Sequence, residues 1–150
     1  MVVDSGETFE GGCHCGAVRF RVRLAEPLAS ARRCDCSFCS MRGAVVVSAA
    51  LGDLEILQGA DRLTLYQFNT GTAKHHFCSI CGIYTHHRRR SNPSELGINV
   101  ACLDGVSPFD FDCVEVFDGV RHPSDDPGNR DRIAGVLRYE RNPRRGGSAP

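Results

Sequence analysis

The sequence predicts a mainly β protein, and three observations carry that expectation. Ala17 to Leu24 alternates strictly, with Val18, Phe20, Val22 and Leu24 on one face and Arg19, Arg21 and Arg23 on the other. Period two is the signature of a strand with one wet side. Strand-like runs follow at Ala44 to Ser48, Leu54 to Leu57, Arg62 to Phe68, Gly97 to Leu103 and Cys113 to Phe117. Turn-forming residues stand between them: Gly52-Asp53, Gly59-Ala60-Asp61, Asn69-Thr70-Gly71 and Asp104-Gly105. Only Asp126 to Tyr139 has room for a helix of any length, and Gly128 and Gly135 weaken it.

A chain of 150 residues suits one domain, and a 41% hydrophobic content is enough for a core and too much for a disordered chain. Residues 1–140 are expected to form that domain. Residues 141–150, rich in Arg, Gly and Pro, read as a frayed tail. Lys plus Arg and Asp plus Glu balance at 18 each, which argues against a nonspecific grip on nucleic acid or an anionic membrane. No apolar run approaches the roughly 20 residues of a spanning helix. The first ten residues carry Asp4, Glu7 and Glu10 and no export signal, so the expected location is the cytoplasm, where thiols stay reduced. Nine cysteines in such a compartment point to metal rather than to disulfides.

Seven of the nine fall into three groups: Cys13-His14-Cys15-Gly16, Cys34-Asp35-Cys36-Ser37-Phe38-Cys39 and Cys78-Ser79-Ile80-Cys81-Gly82. Zinc favours four ligands in a tetrahedron. A Cys-x-x-Cys turn followed by Gly delivers two thiolates to one ion, and Gly82 permits the backbone reversal. One pair from the first group and one from the third would close a structural site of four cysteines. The middle group offers three thiolates within six residues, and three protein ligands with an open position is the pattern of a catalytic or ligand-binding zinc. Two zinc ions per chain are therefore expected. Two alternatives stand beside this: a disulfide within the cysteine pairs, or a histidine (His14, His75, His76, His86, His87 or His122) closing the three-cysteine site. Cys102 and Cys113 lie within strand-like runs and are expected to be buried apolar fillers.

Charge narrows the chemistry of the open site. Three thiolates more than neutralise a dication, so such a zinc activates water poorly but still favours the ionisation of an incoming thiol. The natural substrate is then a thiol and its partner a small electrophile, with Cys34, Cys36 and Cys39 as the catalytic group. Arg32, Arg33 and Arg42 flank the group and are candidates for holding a carboxylate-bearing thiol. His86-His87-Arg88-Arg89-Arg90 either lines a pocket for an anion or forms a polar loop with one histidine turned inward.

The three groups, in order and with their flanks, resemble the glutathione-dependent formaldehyde-activating enzyme family, whose domain is shared with centromere protein V. The resemblance rests on Gly12-Cys13-His14-Cys15-Gly16-Ala17-Val18-Arg19-Phe20, on Cys34 through Cys39, and on Phe77-Cys78-Ser79-Ile80-Cys81-Gly82, and it covers roughly residues 8 to 120. It implies an Mss4-like fold, a structural zinc on Cys13, Cys15, Cys78 and Cys81, and a second zinc on Cys34, Cys36 and Cys39. It further implies a carbon–sulfur lyase that adds glutathione to formaldehyde to give S-hydroxymethylglutathione. Where family members carry aromatic residues including Trp, this chain reads Val114-Glu115-Val116-Phe117-Asp118 and has no Trp. The Mss4-like fold also serves as a zinc-stabilised protein-binding module without catalysis, which is the alternative reading.

Overall fold

The computed structural model describes residues 6–121, 128 and 132–145. Among them ten strands form one sheet: β1 (Thr8–Gly12), β2 (Arg19–Leu24), β3 (Arg32–Cys34), β4 (Val46–Gln58), β5 (Leu63–Tyr66), β6 (Lys74–Cys78), β7 (Tyr84–Arg88), β8 (Glu95–Asn99), β9 (Cys113–Phe117) and β10 (Ile133–Arg138). One short α-helix, α1 (Ser37–Arg42), and four single-turn 3-10 helices interrupt them. Along the sheet the order is β10-β9-β3-β4-β8-β7-β6-β5, with the β1–β2 hairpin attached through β2 to β4. Only β3 and β9 run parallel; the other pairs are antiparallel. The mainly β, Mss4-like expectation is borne out.

The alternation in β2 works as its pattern requires. Phe20, Val22 and Leu24 are buried, and Arg19 and Arg21 reach outward to Asp104 and Glu10. Those three apolar side chains pack with Val47, Ala49, Leu96, Ile98 and Val100 in the main core. Burial of such side chains contributes about 1.5–3 kcal/mol each. A second, smaller cluster holds Cys13, Val18 and Cys78, so the first cysteine group sits on apolar packing of its own.

Several local expectations are corrected. Gly52-Asp53 does not end a strand, because β4 runs through it for 13 residues. Val22 pairs with Leu54 and Leu24 with Ala49, so five residues of β4 span what two span in β2. The turn chemistry is absorbed in a bulge. The segment with room for a helix, Asp126 to Tyr139, forms none where it is described: Ile133–Arg138 is β10, paired with β9. Most of residues 126–131 lies outside the described residues. Within the expected tail, Arg141 pairs with Asp110 at 3.6 Å, while residues 146–150 also lie outside them. Cys113 is exposed rather than a buried filler, because the alternation of β9 turns Val114 inward. Cys102 is buried as expected, its thiol donating to the Tyr84 carbonyl.

Candidate metal centres and the cleft beside them

Two loops bring the first site together. Cys13 and Cys15 lie between β1 and β2, and Cys78 and Cys81 at the end of β6 and the turn after it. Their four sulfurs all lie within 4.8 Å of one another. Cys13 Sγ and Cys15 Sγ are 3.6 Å apart, and Cys15 Sγ and Cys78 Sγ 3.7 Å. Four sulfurs about 2.3 Å from a zinc ion stand about 3.8 Å apart along a tetrahedral edge. A sulfur–sulfur bond of about 2.05 Å is far shorter, and all nine cysteines are free thiols. Backbone N–H groups of Val18 and Ile80 donate to Cys13 and Cys78 sulfurs at 3.3 and 3.4 Å, which favours thiolates. The Cys81 thiol is held down at about 6, chiefly by the Cys15 and Ile83 backbone. This donor set fits a metal ion.

Cys34, Cys36 and Cys39 form the second group, again with sulfurs within 4.8 Å of one another. The backbone there is built around the thiols. Cys36 is the N-cap of α1, its sulfur accepting from the Cys39 N–H at 3.3 Å, and the Cys36 N–H donates to Cys34 Sγ at 3.5 Å. Hydrogen bonds from Cys34 and Cys39 push the Cys36 thiol far down, and the same sharing pushes Cys34 up. Among the described residues no histidine or carboxylate joins this group. His122, one of the alternative ligands, lies outside them.

Gly119 closes the group from behind. Its N–H donates to Asp35 Oδ1 at 2.7 Å, and a Cβ placed on it would stand 2.5 Å from Cys34 Sγ and 2.7 Å from the Cys36 backbone nitrogen. Nothing in the local sequence marks this residue, because the contact joins segments more than eighty positions apart.

A cleft of about 1320 Å³ opens beside Cys34, Cys36 and Cys39. His75 and His87 line it, and they belong to one row of residues across five strands, in which Tyr66, His75, His87, Gly97 and Ser48 are successive partners from β5 to β4. Gly97 lets the His87 ring lie over the strand, since a Cβ there would come within 2.3 Å of His87 Cε1. His75 stacks on His87 and on Phe68 and meets the ring of Phe38 of α1 at a tilt. Burial and the Arg42 charge hold the His75 imidazole down at about 4. On the opposite face His76 stacks on His86, which burial holds down at about 3.

The structure separates the three flanking arginines. Arg32, buried against the ring of Phe117, donates to Glu26 at 3.1 Å and to Ser48 Oγ at 2.7 Å. Arg33 borders the cleft with its guanidinium against the end of α1, where a Cβ on Gly43 would stand 3.2 Å from its Nη2. Arg42 donates to His75 Nδ1 at 2.9 Å and to Cys39 Sγ at 3.4 Å. Of the His86 to Arg90 segment, His87, Arg89 and Arg90 line the cleft, with Arg89 donating to Ser48 Oγ at 2.6 Å. His86 is turned inward, and Arg88 donates to the Pro93 carbonyl. His86 to Arg88 thus belong to β7 and not to a polar loop, although one histidine is turned inward as that reading had it. Phe38, Tyr66, Phe68 and Ser48 were not singled out from sequence.

Comparison with known proteins agrees with this arrangement. Residues 8–117 match the family described as glutathione-dependent formaldehyde-activating enzyme. A Halomonas elongata protein named "Putative glutathione-dependent formaldehyde-activating enzyme" is 38% identical over 80 residues, 48% of this chain and 50% of that protein. The chain thus aligns with about half the length of that curated relative. The crystal structure of a Rhodobacter sphaeroides protein is 62% identical, with a TM-score of 0.66, over 67% of this chain and 93% of that one. With three cysteine groups in family order, gathered by the fold into two metal-competent sites, the chain belongs to the glutathione-dependent formaldehyde-activating enzyme family.

Proposed function

We propose that this protein is a zinc-dependent carbon–sulfur lyase adding a small thiol, glutathione or a relative, to formaldehyde or another small electrophile. The observation that carries this reading is the three-sulfur group of Cys34, Cys36 and Cys39, which has no fourth donor among the described residues and opens on an arginine-lined cleft. Cys13, Cys15, Cys78 and Cys81 would hold one zinc as a structural clasp, and Cys34, Cys36 and Cys39 a second. Zinc at the second position would keep an incoming thiol as its thiolate.

The chain's own residues then do the rest. Arg33, joined by Arg89 and Arg90 on the cleft wall, meets the carboxylates of the thiol through charge-assisted hydrogen bonds, while Arg32, held by Glu26 and Ser48, braces the wall behind them. Anchoring those ends brings the thiol sulfur to the mouth of the three-cysteine group, and proximity supplies much of the rate gain. A carbon–sulfur bond forms, the carbonyl π pair moves to oxygen, and oxygen takes up the proton the thiol gave up. The net change is addition of S–H across C=O, which with glutathione and formaldehyde gives S-hydroxymethylglutathione. Among the described residues no helix is long and apolar enough to cross a membrane. We place the protein in the cytoplasm, whose reducing conditions suit nine free cysteines.

Cobalt substitution tests the reading, because thiolate ligation changes the visible spectrum of a tetrahedral cobalt site. Glutathione is expected to perturb that spectrum, and Arg33→Ala to weaken the response. No change at saturating glutathione would remove the thiol reading and leave the protein-binding module in front.

A further inference from the structure

Arg42 stands out among the cleft arginines by what surrounds it. Cys39 and Arg42 are three residues apart on α1 and so share one helix face. Its guanidinium donates to Cys39 Sγ at 3.4 Å and to His75 Nδ1 at 2.9 Å. A guanidinium only donates, so His75 accepts as the neutral imidazole with its proton on Nε2. The rings of Phe38 and Tyr84 lie 4.8 and 3.7 Å from its central carbon. Its Nε is buried without a hydrogen-bond partner, and among the described residues it forms no ion pair with a carboxylate. Burying a guanidinium without a carboxylate is costly unless another anion offsets it. Arg42 is half-buried, and the Cys39 sulfur it touches would be such an anion as a metal-bound thiolate.

We propose that Arg42 is the built-in counter-cation of the three-cysteine site, a positioning residue that holds Cys39 and offsets thiolate charge rather than a ligand for the substrate's carboxylate. The proposal rests on the thiol-binding reading above and extends it. Three thiolates around a dication leave one excess negative charge, and a fourth thiolate makes two. A fixed cation against Cys39 favours both steps. Contact with the rings of Phe38 and Tyr84 keeps it there without a carboxylate that would cancel it. His75 takes its second N–H group, so rotation away from the sulfur would break two hydrogen bonds at once. With two rings against it, both terminal nitrogens already donating and its Nε buried, Arg42 is poorly placed to grip a carboxylate in the fork geometry.

The two roles for Arg42 differ in a measurable way. A carboxylate ligand matters only to thiols that carry carboxylates, whereas a counter-cation matters equally to any thiolate. The experiment compares wild type, Arg42→Met and Arg42→Lys as cobalt-loaded full-length chains, titrated with glutathione and separately with 2-mercaptoethanol. Cobalt affinity at each site is read by chelator competition. Arg42→Met keeps a flexible apolar stem against the rings and loses the charge. It is expected to weaken cobalt binding at the three-cysteine site about tenfold, as loss of one charged hydrogen bond would, with the four-cysteine site unchanged. Both thiols are expected to lose affinity by the same factor, again about tenfold. Arg42→Lys keeps the charge and should recover most of each loss. A loss confined to glutathione, or unchanged cobalt affinity in Arg42→Met, would overturn the proposal. If Arg42→Met also loses metal at the four-cysteine site, the lysine variant decides: recovery supports the counter-cation, and a loss equal to that of methionine overturns it. If no thiol perturbs the wild-type spectrum, the thiol reading fails, while the metal-affinity comparison still decides the role of Arg42.

Discussion

Gly119→Ala is the smallest change that should disable the three-cysteine site while leaving the rest of the protein folded. The added methyl would stand 2.5 Å from Cys34 Sγ, 2.6 Å from Cys36 Cβ and 2.7 Å from the Cys36 backbone nitrogen. A rotamer change could move the first atom but not the backbone nitrogen, so the chain itself must shift. Overpacking of this kind costs about 1–3 kcal/mol. The shift also strains the 2.7 Å hydrogen bond from the Gly119 N–H to Asp35. A hydrogen bond to a charged group contributes about 1.5–3 kcal/mol. A combined cost near 3 kcal/mol, borne mainly by the metal-bound geometry, corresponds to roughly a hundredfold loss of metal affinity. Chelator competition on the cobalt-loaded protein measures it, with the four-cysteine site in the same molecule as the reference. Equal metal affinity in Gly119→Ala and wild type would show that the loop after β9 does not press on the cysteines, and would refute the close-approach argument.

Cys78→Ser is expected to lose the metal of the four-cysteine site and to melt well below wild type, because that site ties the loop before β2 to the end of β6 and metal binding there is folding energy; a melt like that of wild type would count against the assignment. A chelator should strip the three-cysteine site faster than the four-cysteine site, since it opens on a cleft, and matched release rates would contradict this. Acid should destabilise the fold through its buried histidines. His86 is held down at about 3 by burial, while the unfolded chain takes up its proton near the ordinary value of about 6.5. Stability is therefore full above about pH 6.5 and falls as the pH drops toward 3. Between pH 7 and 5.5 the loss from His86 alone is about 1 kcal/mol. Urea unfolding at the two pH values should show that much less loss in His86→Asn, and an identical loss in both proteins would argue against a buried neutral His86.

The cysteines that could hold metal were legible from the chain alone. Cys34, Cys36 and Cys39 lie within six residues, so a single turn of chain can gather them, and Cys78 and Cys81 are gathered by one turn ending in Gly82. The clean alternation of β2 was legible for the same local reason, since three arginines faced water and three buried side chains faced the core. Strands such as Tyr84–Arg88 and Lys74–Cys78 were not legible, because both their faces carry polar residues and their burial comes from neighbours that local pattern does not reveal. The same holds for the bulge at Gly52-Asp53, where local turn chemistry lost to the pairing of β4 with β2. The surroundings of the sulfurs came from folding. It set Gly119 behind Cys34, ran His75 and His87 in a row along the cleft, and turned Arg42 to Cys39 while Arg32 went to Ser48. The physical reason is reach. Ligand spacing is a property of a few consecutive residues, whereas charge compensation and close approach depend on which distant strands pair, and hydrogen-bonded register sets that only once the whole sheet has formed.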